Sequence, residues 1–374
     1  MSIANMRIAV ISSYTPSLLN FRIDMMREFV SKGHSVMAVG HEPEERWRKM
    51  FADNNIEYRQ IRVSRNGLNP FADMRLLYDL VRLFRAAKSN VVFAYNPKTV
   101  IYGSIAAKLC GITDIYLLIA GLGSVIRGAS AKLRFVSLIM RPLYGIACWC
   151  SKKVFFHNDD DRSVFVASKL VEPDKAVVIN GSGVDVDRYM LAPMPESPAF
   201  LFVGRLIKDK GIVEYLEACR LIKLMHPGVR CLLVGPLDSN PSALTQSALR
   251  TYVDAGVVEY FGEQLDVRPF IAECSALVLP SYHEGTPKVV LEAMAMGRPV
   301  ITSNAPGCRS TVTHEVNGFL VEVKDIQGIV ACMQRLIENP RLGGTMGAFG
   351  RKIAEDKYDV RKVNHSILKE MELL

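Results

Sequence analysis

The sequence of 374 residues has no CxxC pair, no Cys/His cluster at zinc spacing, and no apolar run long enough to cross a bilayer. Its eight cysteines stand singly apart from Cys148 and Cys150, which argues against a disulfide frame or a structural metal. They read as reduced thiols of a cytosolic protein. The most apolar stretch, Phe135 to Cys150, is broken by Arg141 and Pro142, short of the ~20 residues a span needs. MSIANMRIAVISS runs straight into a strand pattern with no secretory cleavage site, so a cytoplasmic location is expected. Short-period repeats and low-complexity tracts are also missing. Acidic residues are scarce in one region: positions 58–158 hold 15 Lys/Arg but only Asp73, Asp79 and Asp114.

What is present is ordinary globular composition, 49% hydrophobic and 22% charged, which excludes a disordered chain. The length exceeds what one core normally organises, so two domains are expected. The net charge of +8 is uneven: residues 1–200 carry 26 basic against 18 acidic residues, and residues 201–374 carry 20 against 20. In 132–141 the basic residues Lys132, Arg134 and Arg141 alternate with Leu133, Phe135, Val136, Leu138, Ile139 and Met140. That mixture suits either an anionic membrane surface or a buried helix with a solvated basic edge. No nucleic-acid motif accompanies the charge.

Strand-first α/β units occur twice. Arg7–Ser12, Ser35–Val39, Val91–Ala94, Ile115–Ile119 and Val154–Phe156 read as strands, with helices at 21–32, 76–87 and 100–109. The pattern stops in the Gly-, Pro- and Asp-rich segment 180–198 and restarts at Ala199–Val203, Arg230–Val234, Val257–Phe261, Ala276–Leu279 and Pro299–Thr302. Such alternation predicts parallel sheets covered on both faces. We expect an N-terminal domain over 1–182, a linker over 183–198, a C-terminal domain over 199–350 and a helical segment over 351–374. The expected architecture is two doubly wound, Rossmann-like domains facing a cleft, with the last helix packing back toward the first domain.

Ligands of open α/β sheets bind beyond the carboxyl ends of the strands, and three loops there stand out. After AFLFV come Gly204, Arg205 and Lys210; the glycine admits a ligand, and the two cations suit a diphosphate. After ALVL comes SYHEGTPKVVLEA. Thr286 as N-cap and Pro287 as first helical residue would aim the amides of Lys288 and Val289 at a phosphate. Glu284 precedes that helix beside Gly285, and Glu292 lies inside it four residues from Lys288. One carboxylate is placed for a sugar and the other for ribose. On spacing alone, a capped helix with a surface ion pair explains this loop as well. The third loop, Pro306-Gly307-Cys308-Arg309, is supporting evidence only.

In this order, GR-x4-KG, E-x7-E and PGCR resemble retaining glycosyltransferases of family 4 across 199–325, together with LVGPLD, VEYFG and DVRPF. The nearest branch builds capsule, O-antigen and N-glycan-precursor units on undecaprenyl diphosphate. The N-terminal half is similar through Phe21-Arg22, Gly33-His34-Ser35-Val36, AAKLCG, Gly121-Leu122-Gly123 and FHNDDDRSVF. The resemblance implies the GT-B fold and a UDP-sugar donor, a hexose or N-acetylhexosamine. It also implies a lipid-linked sugar acceptor and a peripheral place on the inner face of the cytoplasmic membrane. Arg205 and Lys210 would hold the diphosphate, Glu284 the sugar and Glu292 the ribose, with the base near Gly235–Pro236 and Glu263–Leu265. Catalysis would fall to Glu284, Arg205 and Lys210, without a metal or cofactor. Many relatives carry a histidine after the strand that is Ile115–Ile119 here. This chain has Ala120-Gly121-Leu122-Gly123 instead, so Arg22, Asn96, Lys98, Gly121, Gly123 and Ser124 become the acceptor-side or sugar-side candidates.

Gly121-x-Gly123 with Gly128 imitates a dinucleotide fingerprint, but residues 129–157 hold no ribose-binding acid. Asp159–Asp161 more simply cap a helix near Arg162, and Asp185/Asp187 fall in the linker. The rivals are a nucleotide-sugar 2-epimerase of the same architecture and a non-catalytic scaffold subunit of a polysaccharide assembly complex.

Overall fold

The computed structural model describes residues 5–63, 69–121, 131–238, 240 and 242–374, with backbone alone at 131–135. The chain forms two units, Met1–Ser182 with Arg361–Leu374, and Gly183–Val360.

The first unit is a seven-stranded parallel sheet in the order β3-β2-β1-β4-β5-β6-β7. Its strands are β1 Arg7–Ile11, β2 Ser35–Gly40, β3 Ile56–Gln60, β4 Val91–Tyr95, β5 Asp114–Ile119, β6 Lys153–Phe156 and β7 Ala176–Val178. Near-continuous apolar strands such as IAVI and VVFAY are buried on both faces. Helices Pro70–Ala87, Pro97–Leu109, Ala131–Cys150 and Asp159–Ala167 cover one face through Leu80, Phe84, Ile101, Tyr144 and Phe165. Helices Thr15–Ser31, Glu44–Ala52 and Val360–Glu370 cover the other through Met26, Phe29, Phe51, Ile367 and Leu368. Asn158 caps Asp159–Ala167, its side chain accepting from the Asp161 amide, so the three aspartates form the first turn and the cap itself is Asn158.

The second unit is a six-stranded parallel sheet, β10-β9-β8-β11-β12-β13. Its strands are β8 Ala199–Val203, β9 Arg230–Val234, β10 Glu259–Tyr260, β11 Ala276–Leu279, β12 Val300–Ser303 and β13 Gly318–Val321. Each unit is a Rossmann-like, doubly wound α/β body whose strand order reverses once, at β1/β4 and at β8/β11.

Two boundaries differ from the sequence reading. Residues 183–198 are not a free linker: Val184, Val186 and Tyr189 sit in the second unit's core. Buried Arg298 donates to the carbonyls of Ala192 (2.9 Å) and Pro193 (2.6 Å), which fixes the segment despite its Gly and Pro content. At the far end, helix Pro340–Ile353 runs into a π-helical turn, Ala354–Tyr358, and the second unit closes at Val360. The terminal segment from Arg361 onward belongs to the first unit, where the Tyr116 hydroxyl donates to Met371 O at 3.0 Å.

Candidate functional site

The loops after β8 and β11 leave neighbouring strands at the point where the second sheet reverses its order, the usual ligand crevice of such a sheet. They are stitched together. The Tyr282 amide donates to Asp209 O at 2.9 Å and Ser281 Oγ donates to the same oxygen at 3.1 Å. Gly211, at φ 74°, passes so close that a Cβ would lie 2.1 Å from Pro280 O. Only glycine fits that approach.

This stitching brings Lys210 and Glu284 into a salt bridge, with side chains 24% and 11% exposed. Glu284 is held from behind by its amide, which donates to Pro306 O at 3.0 Å. Gly307, at φ 76°, lies against the same loop, where a Cβ would fall 2.1 Å from Glu284 O. The Pro-Gly turn therefore has a definite task, to let the third loop seat the Glu284 backbone. Buried Cys308 sits beside Glu284, and burial pushes its thiol up to about 12.

Arg205 is half exposed and pairs with Asp238 at 3.0 Å. A Cβ on Gly204 would meet only the Phe202 ring at an ordinary 3.5 Å; the glycine that close packing demands is Gly235, whose Cβ would fall 1.8 Å from Gly204 O. The Tyr260 hydroxyl donates to Gly235 O at 2.9 Å, bracing the loop expected near the base.

The helix after Gly285 begins one residue later than its cap chemistry suggested. Pro287 has extended ψ of 111° and is the N-cap itself, and helix Lys288–Ala295 follows. The first amide to close an intrahelical bond is that of Val290, to Pro287 O at 3.0 Å. Lys288 and Val289 thus supply the helix's leading amides, where the macrodipole favours an anion.

Glu292 is buried inside this helix, and burial pushes its carboxyl above the ordinary range, opposed by Lys288 and a hydrogen bond from Tyr189. The Tyr189 hydroxyl donates to Glu292 Oε1 at 2.9 Å. Sequence reasoning missed Tyr189 because it lay in the segment read as linker; its YM pair among prolines and aspartates was the available signal. Arg351 holds both partners in place, donating from Nη1 to the carbonyls of Tyr189 (2.9 Å) and Ala295 (2.7 Å).

In the first unit the candidates separate. Lys98 is taken up by Asp73 at 2.7 Å, and Tyr102 donates to the same carboxylate at 3.1 Å. This nearly buried pair ties helix Pro97–Leu109 to Pro70–Ala87, so Lys98 acts in packing. Asn96 directly follows β4 at φ 74° and accepts from Ser12 Oγ at 2.6 Å, beside the strand-order reversal. Arg22 is buried against His157. Gly121 follows β5 at φ 149°, while Gly123 and Ser124 lie outside the described residues.

Residues 197–339 match the family model described as "Glycosyl transferases group 1". The chain is 24% identical over 351 residues to N,N'-diacetylbacillosaminyl-diphospho-undecaprenol alpha-1,3-N-acetylgalactosaminyltransferase of Campylobacter jejuni, covering 90% of this chain and 91% of that one. It is 26% identical over 284 residues to UDP-Gal:alpha-D-GlcNAc-diphosphoundecaprenol alpha-1,3-galactosyltransferase of Escherichia coli, covering 71% of each. Anabaena Alr3699/HepE, solved in complex with UDP and glucose, superposes with a TM-score of 0.79 at 18% identity, covering 99% of this chain and all of that one. The fold is that of GT-B enzymes.

Proposed function

We propose that this glycosyltransferase, whose residues 197–339 form a group 1 glycosyl transferase domain, moves a hexose or N-acetylhexosamine from a UDP-sugar to an undecaprenyl-diphosphate-linked sugar with retention of configuration. Its place is the assembly of a bacterial surface polysaccharide or related glycan. The observation that carries the reading is the Lys210–Glu284 pair at the strand-order reversal, directly ahead of helix Lys288–Ala295. Two of the relatives above have diphospho-undecaprenol acceptors in their names, and one a UDP-sugar donor.

The residues divide the work as follows. Arg205, Lys210 and the leading amides of the helix neutralise the donor diphosphate, whose charge grows as the glycosidic bond breaks. Glu284, joined to Lys210, orients the sugar and answers positive charge developing at the anomeric carbon. Glu292 accepts from ribose hydroxyls. In this reading the cations and the helix end do the work that a divalent ion performs elsewhere.

An anionic membrane supplies the acceptor. Phe71, Met74 and Tyr78 occupy one exposed face of helix Pro70–Ala87, and Leu138 and Trp149 stand exposed on Ala131–Cys150. Both helices pack against Pro97–Leu109, on one side of the sheet, and these three helices lie within the basic region. No helix among the described residues is long and apolar enough to cross a membrane, so attachment is proposed as peripheral, at the inner face.

The deciding experiment incubates the protein with a panel of UDP- and other nucleotide sugars, with and without undecaprenyl-diphosphate-linked sugars. Glycosylated lipid should be detected by mass spectrometry, and the anomer read by NMR. Turnover of the donor without any acceptor product would indicate an epimerase and overturn the proposal, and inversion would remove the retaining mechanism.

A further inference from the structure

Helix Thr15–Ser31 places one arginine in the apolar layer between itself and the first sheet. Arg22 is 2% exposed, and its guanidinium lies over the rings of Phe93 (6.0 Å) and Tyr95 (5.7 Å). Arg22 Nη2 donates to His157 Nε2 at 3.1 Å. A ring nitrogen that accepts carries no proton, so His157 is neutral here and adds no balancing charge. Arg22 Nε and Nη1 are buried without a hydrogen-bond partner, and no carboxylate among the described residues neutralises the cation.

A buried cation without an ionic partner weighs against the fold, and replacing buried charged groups by apolar side chains of similar volume is often neutral or stabilising. Each buried donor without a partner calls for an explanation. Location supplies one. Ser12, Asn96 and His157 directly follow β1, β4 and β6, so the guanidinium lies at the carboxyl edge of the sheet. Its aromatic neighbour Tyr95 ends β4, one of the two strands flanking the order reversal. The hydroxyls at this edge satisfy one another: Ser12 Oγ meets Ser17 Oγ at 3.0 Å, and Ser17 Oγ meets the Tyr95 hydroxyl at 2.9 Å. The two arginine donors remain unmade.

We propose that the carboxyl-end crevice between β1 and β4 is an oxyanion site floored by Arg22, which receives a phosphate or diphosphate through Nε and Nη1. These donors lie on different edges of the guanidinium plane, so a group with several oxygens suits them better than a carboxylate. The inference rests on the acceptor reading only for the anion's carrier, a lipid-linked diphosphate as against free phosphate.

The test is thermal unfolding of the full chain with saturating UDP, which occupies the donor site, titrated with pyrophosphate and with inorganic phosphate. The KM of an undecaprenyl-diphosphate-linked acceptor is measured in parallel. Pyrophosphate should raise the wild-type Tm. Arg22→Met should keep the UDP response, unfold no earlier than wild type without pyrophosphate, lose the pyrophosphate shift and raise acceptor KM about tenfold or more. Arg22→Lys should fall between the two. A response to inorganic phosphate with unchanged acceptor KM assigns the site to free phosphate. A lower Tm for Arg22→Met, with a wild type indifferent to pyrophosphate, makes Arg22 a structural cation and overturns the proposal. If Arg22→Met fails to fold, Arg22→Lys decides: an unchanged pyrophosphate response overturns the proposal and a weakened one supports it. If lipid-linked acceptors are never used, the function reading falls while an Arg22-dependent pyrophosphate shift still stands.

Discussion

Tyr189 holds one oxygen of the buried Glu292 carboxylate at 2.9 Å, and Arg351 fixes the backbones of both the tyrosine and the helix end beyond the glutamate. With Oε1 occupied, Glu292 has a defined orientation for a hydroxyl-bearing ligand. Lys288, Arg188 and Asp266 provide the surrounding charges.

Tyr189→Phe should raise donor KM about three- to tenfold with little change in kcat, since one hydrogen bond is worth about 1 kcal/mol net. Glu292→Gln should act in the same direction more strongly, because ribose contacts are common to ground and transition states. Steady-state kinetics at saturating acceptor measure both, and a kcat effect without a KM effect would exclude the ribose role.

Lys210→Ala should lower kcat/KM by the equivalent of about 2–4 kcal/mol, as expected for a charge-assisted contact to the developing phosphate charge. Arg205→Ala should follow with a smaller loss, since its guanidinium is half exposed beside Asp238. Glu284→Gln should depress kcat more than it raises KM. If the Glu284 and Glu292 phenotypes are exchanged, the sugar and ribose positions are reversed.

Turnover should persist in EDTA without added metal, because the diphosphate charge is assigned to Lys210, Arg205 and the helix start. An absolute requirement for Mg²⁺ or Mn²⁺ in the same assay would contradict that assignment.

His157 makes stability depend on acid. Burial and the neighbouring Arg22 push its imidazole down to about 3, whereas the unfolded chain titrates near 6.5. Between those values the unfolded state binds the extra proton, so stability falls as pH drops below about 6.5. His157 alone should cost about 2 kcal/mol between pH 7 and pH 5. His157→Gln, which keeps an acceptor for Arg22, should flatten denaturant-derived stability over that interval, and an unchanged slope would place the titration elsewhere.

Liposomes containing phosphatidylglycerol should sediment the protein at low salt and release it as salt screens the basic face. Trp149→Ser combined with Phe71→Ser should weaken recovery. Equal recovery on neutral vesicles, or none on either, would return those helices to an ordinary solvated role.

The alternation of apolar strands with helices made both sheets legible, because strands buried on two faces carry unbroken runs such as VVFAY and AFLFV. Three strands escaped. Ile56–Gln60, Ala176–Val178 and Gly318–Val321 are sheet edges; the first is buried on one side only, and the other two are four residues or fewer. The donor-side motifs were legible as motifs, and their joining was not: Lys210 and Glu284 lie 74 residues apart and meet only because β8 and β11 are neighbours. The Lys98 pair was hidden for the same reason, since its partner Asp73 lies on another helix. Glycine and proline suggested a linker at 183–198, where buried Arg298 instead supplies the donors that order the backbone.

Residues 361–374 complete the first unit, placing Val363, Ile367, Leu368, Met371 and Leu373 against strands laid down hundreds of residues earlier. During synthesis the second unit therefore has all of its own residues available before the first does. Until residues 361–374 are added, the sheet face shared with helices Thr15–Ser31 and Glu44–Ala52 keeps a gap, so the first unit cannot complete its core from the residues that precede the second unit.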